Sequence, residues 1–273
     1  WGTKTPEYPS IRRMKGLQNL FLCYILVMST LENTPRVAVT AEDFRQALTE
    51  VQDNIAAAAQ RAGRDPREIR LLPVSKTVPE ERIRAAHAAG IEQFGENKVQ
   101  EAQDKATAMA DLGVHWAIIG PLQSNKTRDV AEFAHEFQAL DRIRIARRLD
   151  TQLKEYNRTL DVYVQVNVSG EDTKSGLEPG EVEEFLEQLM QFDALNVKGL
   201  MTMALHTDDE TVIRQNFSAL RRLRDDLLDR RPELIGEGGL SMGMTNDYEI
   251  AIEEGATVVR IGTAIFGERD YSK

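Results

Sequence analysis

The sequence predicts a single (β/α)8 barrel preceded by an N-terminal helix. Short apolar runs alternate with amphipathic stretches eight times along 273 residues, which is enough chain for one large barrel. No composition shift or Pro/Gly/Ser-rich linker divides this pattern into two domains. A doubly wound open sheet uses the same alternation, but no Gly-x-Gly-x-x-Gly follows the first apolar run. We therefore expect a closed parallel barrel over residues 41–273.

The predicted elements follow one another regularly from Thr40. Thr40 is a candidate N-cap, and Asp43 in the first turn favours a helix that ends at Gly63. Apolar runs predict strands over residues 69–75, 93–95, 115–120, 136–140, 161–168, 197–203, 240–243 and 257–261. Amphipathic stretches predict helices over residues 79–90, 97–110, 125–134, 142–156, 181–192, 209–231 and 247–255, and a short helix from Thr263.

Residues 1–40 differ from the rest of the chain. The apolar run Leu17–Met28 follows basic residues, as in a secretory signal peptide, but no clear small-x-small cleavage site follows it before Pro35. The run is also too short to span a membrane. We expect a disordered or non-native extension with Met28 as a candidate start, and export is the alternative.

Composition narrows the function classes. The net charge of −10 opposes binding to nucleic acid. The single cysteine, Cys23, excludes an internal disulfide framework and fits a reducing cytoplasm. The four histidines, His87, His115, His135 and His206, lack the spacing of metal ligands. We therefore expect a cytoplasmic protein without a metal site, a membrane partner or a nucleic-acid partner.

A lysine directly follows the first predicted strand. In Ser75-Lys76-Thr77 the Lys76 stem can be buried while its amine points into the barrel mouth, where such barrels carry their reactive residues. Desolvation lowers the pKa of a lysine and makes the amine nucleophilic near neutral pH, as imine formation with an aldehyde requires. A solvated surface lysine is the alternative interpretation.

Two loops near the end of the chain have the features of a phosphate site. SMGMTND follows the seventh predicted strand, and RIGTAIFG spans the end of the eighth. Ser241 and Thr263 offer hydroxyl groups, while Gly243 and Gly262 allow backbone N–H groups to approach closely. Ordinary loop residues are the alternative. Because these loops lie beside the first strand in a closed barrel, the two features together predict a site for a phosphorylated aldehyde.

Arg260 falls within the last predicted strand. A buried cation without a partner is costly, so we expect its guanidinium to meet a fixed acceptor such as a pyridine nitrogen or a carboxylate. A structural ion pair is the alternative.

Six ordered blocks now identify a resemblance: PVSKTVP, FGENKVQE, HWAIIGPLQSNK, VNVSGEDTKSG, KGLMTM and SMGMTNDYEIAIEEGATVVRIGTAIFG. They closely resemble the pyridoxal phosphate homeostasis protein family, single-domain relatives of the alanine racemase barrel (PLP fold type III). The resemblance runs from residue 41 to Tyr271. It implies that Lys76 carries pyridoxal 5'-phosphate (PLP) as a Schiff base and that Arg260 faces the pyridine nitrogen.

The resemblance also implies that Ser241, Gly262 and Thr263 contact the phosphate and that Asn97 lies near the ring. The sequence departs from the usual family wording at two places. Thr245 replaces a serine, and Ala256-Thr257 replaces Ser-Thr. Both changes keep size or hydroxyl character, so the implied roles stand.

The same residues argue against catalysis. Many enzymes that break bonds at Cα keep the PLP nitrogen protonated, whereas an arginine there can only donate a hydrogen bond. This difference alone does not exclude racemisation, because alanine racemase resembles the same arrangement. Two-base racemisation also needs a second acid or base, which alanine racemase takes from a separate β domain. Tyr248 falls within a predicted helix and Tyr271 in a tail, so we expect no catalytic residue.

The resemblance therefore predicts a monomeric, reversible PLP carrier that passes cofactor to apo-enzymes. A PLP-dependent amino-acid racemase of low activity is the alternative. A third class, a Schiff-base aldolase or phosphosugar isomerase, would use no cofactor. Glu96 is the carboxylate nearest Lys76, and we expect it to have a structural role.

Overall fold

A computed structural model describes residues 37–170, 175–203 and 207–268. The predictions for Cys23, Met28, His206, Tyr271 and the segment before residue 37 lie outside these residues. Within them, no helix is long and apolar enough to cross a membrane.

Eight parallel strands form one sheet in the order β1-β8-β7-β6-β5-β4-β3-β2. The sheet closes into a barrel through an isolated parallel bridge between Val74 and Gly95, where Ser75 N also donates to Gly95 O at 3.0 Å. The predicted barrel is therefore confirmed. The strands are β1 Arg70–Pro73, β2 Gln93–Glu96, β3 His115–Ile118, β4 Glu136–Leu140, β5 Leu160–Gln165, β6 Leu195–Met201, β7 Gly239–Met244 and β8 Val258–Ile261.

Helices follow the strands as the sequence predicts. The α-helices are α1 Ala41–Arg61, α2 Glu80–Ala88, α3 Val99–Ala108, α4 Thr127–Phe133, α5 Ile143–Glu155, α6 Val182–Leu189, α7 Glu210–Arg230, α8 Tyr248–Glu253 and α9 Thr263–Phe266. Single turns of 3-10 helix lie at Pro66–Glu68, Ala110–Leu112, Ser124–Lys126, Pro179–Glu181 and Pro232–Leu234.

The helix that precedes the barrel is confirmed, and so is its cap. Thr40 accepts a hydrogen bond from Asp43 N through its hydroxyl, and Asp43 Oδ2 accepts one from Thr40 N, which forms a capping box. Helix α1 packs against α2, α8 and α9, and Phe44 meets Phe266 edge to face at 5.5 Å. Because α9 is only one turn long, α1 supplies the outer-ring helix beside β8 and β1.

The extension predicted over residues 1–40 stays a prediction, because the structure describes only residues 37–40 of it. Ala38 is buried, and its carbonyl oxygen accepts a hydrogen bond from Arg82 Nε at 2.8 Å. The described chain is therefore attached to the barrel two residues before Thr40.

A chain of polar side chains crosses the barrel interior. Arg70 at the start of β1 pairs with Glu136 at 2.7 Å, and Gln138 donates to the same carboxylate. Gln138 Oε1 accepts from Ser241 Oγ at 2.7 Å, and Ser241 Oγ accepts from Arg260 at 2.6 Å. Each buried polar group in this chain has a partner, as a low-dielectric interior requires. This series of hydrogen-bonded side chains connects Arg70 to Arg260 near the end of β8.

Candidate functional site

A cavity of about 560 Å³ lies at the carboxyl ends of the strands. It brings together five of the seven predicted site residues, from the two ends of the barrel sequence: Lys76, Asn97, Arg260, Gly262 and Thr263. Loops after β1, β2, β6, β7 and β8 all contribute to its walls. This is the face at which barrels of this type carry their active sites.

Lys76 is half-buried between two firmly held neighbours. Ser75 is fully buried and donates from its hydroxyl to Glu96 Oε1 at 2.6 Å. On the other side, Thr77 N donates to Glu101 Oε1 at 2.6 Å. Thr77 has a φ of +65°, a left-handed conformation that is unusual for a β-branched residue. The backbone therefore makes a strained turn directly after Lys76.

Glu96 is fully buried beneath this turn. Its Oε1 accepts from Ser75 and from Lys105, whereas its Oε2 has no hydrogen-bond partner among the described residues. Burial raises the pKa of Glu96, and the nearby Lys105 ammonium opposes that rise. Glu96 does not line the cavity. These contacts favour the structural role that the sequence predicts for it.

Arg260 is buried but still forms part of the cavity wall. It donates to Ser241 Oγ at 2.6 Å and to the carbonyl oxygen of Thr202 at 2.8 Å. Burial lowers the pKa of Arg260 to about 10, with Asp247 and Glu136 acting in the opposite direction, so it is protonated at neutral pH. Both protein acceptors of Arg260 are neutral oxygens. Because a guanidinium has five N–H groups, Arg260 has further donors for a ligand in the cavity.

The two predicted phosphate residues on β7 have other contacts. Ser241 is fully buried, and its hydroxyl is used by Gln138 and Arg260 in the barrel interior. Gly243 has a φ of +92°, and an added Cβ would come within 2.6 Å of Ala251 Cβ. Gly243 therefore allows α8 to pack on β7. Neither Ser241 nor Gly243 is among the cavity-lining residues.

Thr245 is a hydroxyl residue of the cavity that the predicted site does not include, although the sequence shows it in place of a family serine. It lines the cavity, and Gly262 N donates weakly to its hydroxyl at 3.4 Å. A tight turn fixes this position, because Asp247 N donates to Met244 O while Met244 N donates to Asp247 Oδ1. An added Cβ at Gly262 would lie 3.1 Å from Val74 O, so the two loops approach closely. The sequence could have indicated Thr245, because a residue with a hydroxyl group directly follows β7.

Tyr248, considered as a second base, points elsewhere. It is the first residue of α8, which confirms its predicted place in a helix, and it is buried. It does not line the cavity. Among the described residues, no group of three or more His, Cys, Asp or Glu side chains is placed to hold a metal ion.

Comparisons with known proteins agree with the resemblance. Residues 47–270 match the family model for the alanine racemase N-terminal domain. Pyridoxal phosphate homeostasis proteins from Pseudomonas aeruginosa and Pasteurella multocida are 47% and 45% identical, covering 82% and 84% of this chain and 95% and 99% of their own length. The structure of Synechococcus elongatus PipY with PLP bound has a TM-score of 0.69 at 35% identity, covering 78% of this chain and 100% of that one.

The family match spans most of the chain, and the relatives match along nearly their whole length. This chain therefore belongs to the alanine racemase N-terminal domain family and, within it, to the pyridoxal phosphate homeostasis proteins.

Proposed function

We propose that this protein binds PLP through Lys76 and acts as a reversible reservoir and carrier of the cofactor. The observation that carries the proposal is that Lys76 shares one cavity with Thr245, Gly262 and Thr263, from the two loops that suit a phosphate. The names of the relatives and the PLP in the PipY structure support it.

The residues of the cavity fit each part of PLP. Lys76 offers an amine for the aldehyde, and Arg260 offers a donor for the pyridine nitrogen, which is an acceptor when unprotonated. Thr245 and Thr263 offer hydroxyls for the phosphate, and Asn97, which lines the same cavity, offers an amide for the region of the ring. The cavity volume of about 560 Å³ lies within the range of small-molecule sites.

When bound, PLP would supply an aldehyde with which the Lys76 amine could condense reversibly, with loss of one water molecule. The residues of this chain would bind and orient the cofactor. Thr245 and Thr263 would hold the phosphate end, which would orient the aldehyde towards Lys76. Arg260 would donate to the ring nitrogen and, being charged, would disfavour a proton there.

The observation that favours storage over chemistry at an amino acid is that Tyr248, the residue considered as a second base, does not line the cavity. We propose that the protein is non-catalytic, cytoplasmic and monomeric, and that apo-enzymes dependent on PLP are its partners. Incubation with L-alanine tests the non-catalytic part: D-alanine that forms with wild type and not with Lys76→Ala would contradict it.

The cofactor proposal is tested by absorbance and mass spectrometry. Wild-type protein mixed with PLP is expected to show an imine absorption band, and borohydride should then fix one cofactor on the peptide that contains Lys76. Lys76→Ala should show neither. Lys98→Ala is the matched control, because Lys98 is an exposed lysine after the next strand and does not line the cavity. A wild-type spectrum unchanged by excess PLP would overturn the proposal.

A further inference from the structure

We infer that Glu96 and Lys105 are positioning residues for Lys76, acting through the backbone on both of its sides. The inference rests on the proposed function, because it concerns how the Lys76 amine is presented to the aldehyde. Neither Glu96 nor Lys105 lines the cavity.

Lys105 is the centre of this arrangement. Its side chain is 11% exposed, and its ammonium donates to Ser75 O at 2.8 Å, Glu96 Oε1 at 2.7 Å and Glu101 Oε1 at 2.7 Å. An ammonium has three N–H donors, so this geometry uses all of them. One buried cation from α3 therefore holds the end of β1, the end of β2 and the first turn of its own helix.

The two carboxylates that accept from Lys105 also accept hydrogen bonds from the two residues that flank Lys76. Glu96 Oε1 also accepts from Ser75 Oγ at 2.6 Å, and Glu101 Oε1 also accepts from Thr77 N at 2.6 Å. Ser75 and Thr77 are thus tied through short, charge-assisted hydrogen bonds to the same ammonium. Lys76 is the one residue between them.

Two unfavourable features coincide at this place. Thr77 has a left-handed φ of +65°, which a glycine would adopt without strain. Glu96 keeps Oε2 buried without a hydrogen-bond partner among the described residues. Strain of this kind persists only where surrounding contacts impose it, and it concentrates at functional sites.

The consequence is a preorganised amine. Fixing both neighbours limits the directions in which the Lys76 stem can leave the backbone, so more encounters with the aldehyde have the reactive geometry. In that encounter the nitrogen forms the C=N bond, and the aldehyde oxygen leaves as water with both amine hydrogens. Lys105 and Glu96 take no part in these bond changes.

The test separates positioning from stability with two variants. In Lys105→Met the hold is removed, and the rate constant for imine formation with PLP, measured by stopped-flow absorbance, should fall at least about tenfold. Exchange of the Thr77 amide hydrogen in protein free of PLP should become faster. Lys154→Met is the matched control, because Lys154 pairs at 2.9 Å with the buried Asp150 on a helix that supplies no cavity residue. That variant should react like wild type.

Thr77→Gly keeps the inference testable if Lys105→Met does not fold. It relieves the left-handed strain, so the melting temperature should stay or rise, while imine formation slows at least about fivefold because the turn is less constrained. A purely structural turn would change both quantities together. Wild-type rates in Thr77→Gly and in folded Lys105→Met would overturn the inference and leave the cofactor assignment intact, whereas failure of wild type to form the imine would overturn the proposed function itself.

Discussion

The lysine side and the phosphate side of the cavity are formed by different kinds of groups. On the lysine side, charged side chains hold the backbone around Lys76; the Glu96 carboxylate is buried, and the Lys105 side chain is largely buried. On the phosphate side, the contacts come from loop backbone, the hydroxyl of Thr245 and glycines that permit close approach. The first side should therefore respond most to the loss of charge, and the second to added atoms or a lost hydroxyl.

The largest effect is expected on the lysine side. In Lys105→Met, Glu96 becomes a buried carboxylate without its cation, which should cost roughly 3 kcal/mol of unfolding free energy at neutral pH. Glu96→Met combined with Lys105→Met should recover much of it, because both charges are gone. Urea unfolding of both single variants and the double variant measures this coupling. Equal losses in Lys105→Met and in the double variant would contradict it.

The pH dependence of Lys105→Met gives a further check on the same pair. The folded-state pKa of Glu96 is already raised by burial, and loss of the opposing ammonium raises it further. A carboxyl group with a raised folded pKa favours folding in its protonated form. The deficit of the variant relative to wild type should therefore grow as the pH rises from about 4.5, the ordinary carboxyl pKa, to 7. A deficit that shrinks over this interval would show that the carboxyl is not the cause.

On the phosphate side, the corresponding change is an added methyl group. Gly243→Ala places a Cβ 2.6 Å from Ala251 Cβ at a φ of +92°, so it should cost about 2 kcal/mol. Gly180→Ala is the control, since an added Cβ there meets nothing within 4 Å and the φ is ordinary. Thermal unfolding of both variants makes the comparison. A stable Gly243→Ala would mean that α8 can move away from β7.

A smaller change distinguishes the two hydroxyls near β7. Thr245→Val should weaken PLP binding about tenfold and leave stability nearly unchanged, because its hydroxyl lies on the cavity beside Gly262 N. Ser241→Ala should instead lower stability by about 1 kcal/mol, because Gln138 and Arg260 lose a buried partner. Fluorescence titration with PLP and urea unfolding measure the two quantities. The opposite assignment of effects would restore Ser241 as the phosphate contact.

These two hydroxyls also show how far the sequence predicts the structure. The strands and outer helices follow from the alternation of apolar runs, and Lys76 could be selected because it directly follows an apolar run. Ser241 already fell within the predicted strand over residues 240–243, and in β7 it is buried inside the barrel, whereas Thr245 follows the strand and lines the cavity. Which of two nearby hydroxyls faces the interior and which reaches the cavity depends on the tertiary structure, and the local pattern does not determine it.

The cluster around Lys105 could be predicted only in part. Glu101 and Lys105 have the i, i+4 spacing of a helical ion pair, which the sequence displays. Their contact with Ser75, thirty residues earlier, depends on the lateral placement of α3 against β1 and β2. The stacking of His115 on His135 at 4.2 Å likewise depends on tertiary packing.

The smallest predicted effect on stability comes from His135, which stacks on His115. Its titration also contributes to the pH dependence of wild-type stability, against which Lys105→Met is compared. The pKa of His135 is lowered to about 4 by burial, by His115 and by Arg158, so the folded state favours the neutral ring. Its contribution to stability is complete above the unfolded pKa near 6.5 and is lost as the pH falls towards 4. Because the His135 ring is only partly buried, solvent screening should keep the loss below about 1 kcal/mol. His135→Gln should flatten the melting temperature between pH 6.5 and 5, and an unchanged slope would assign that slope to other groups.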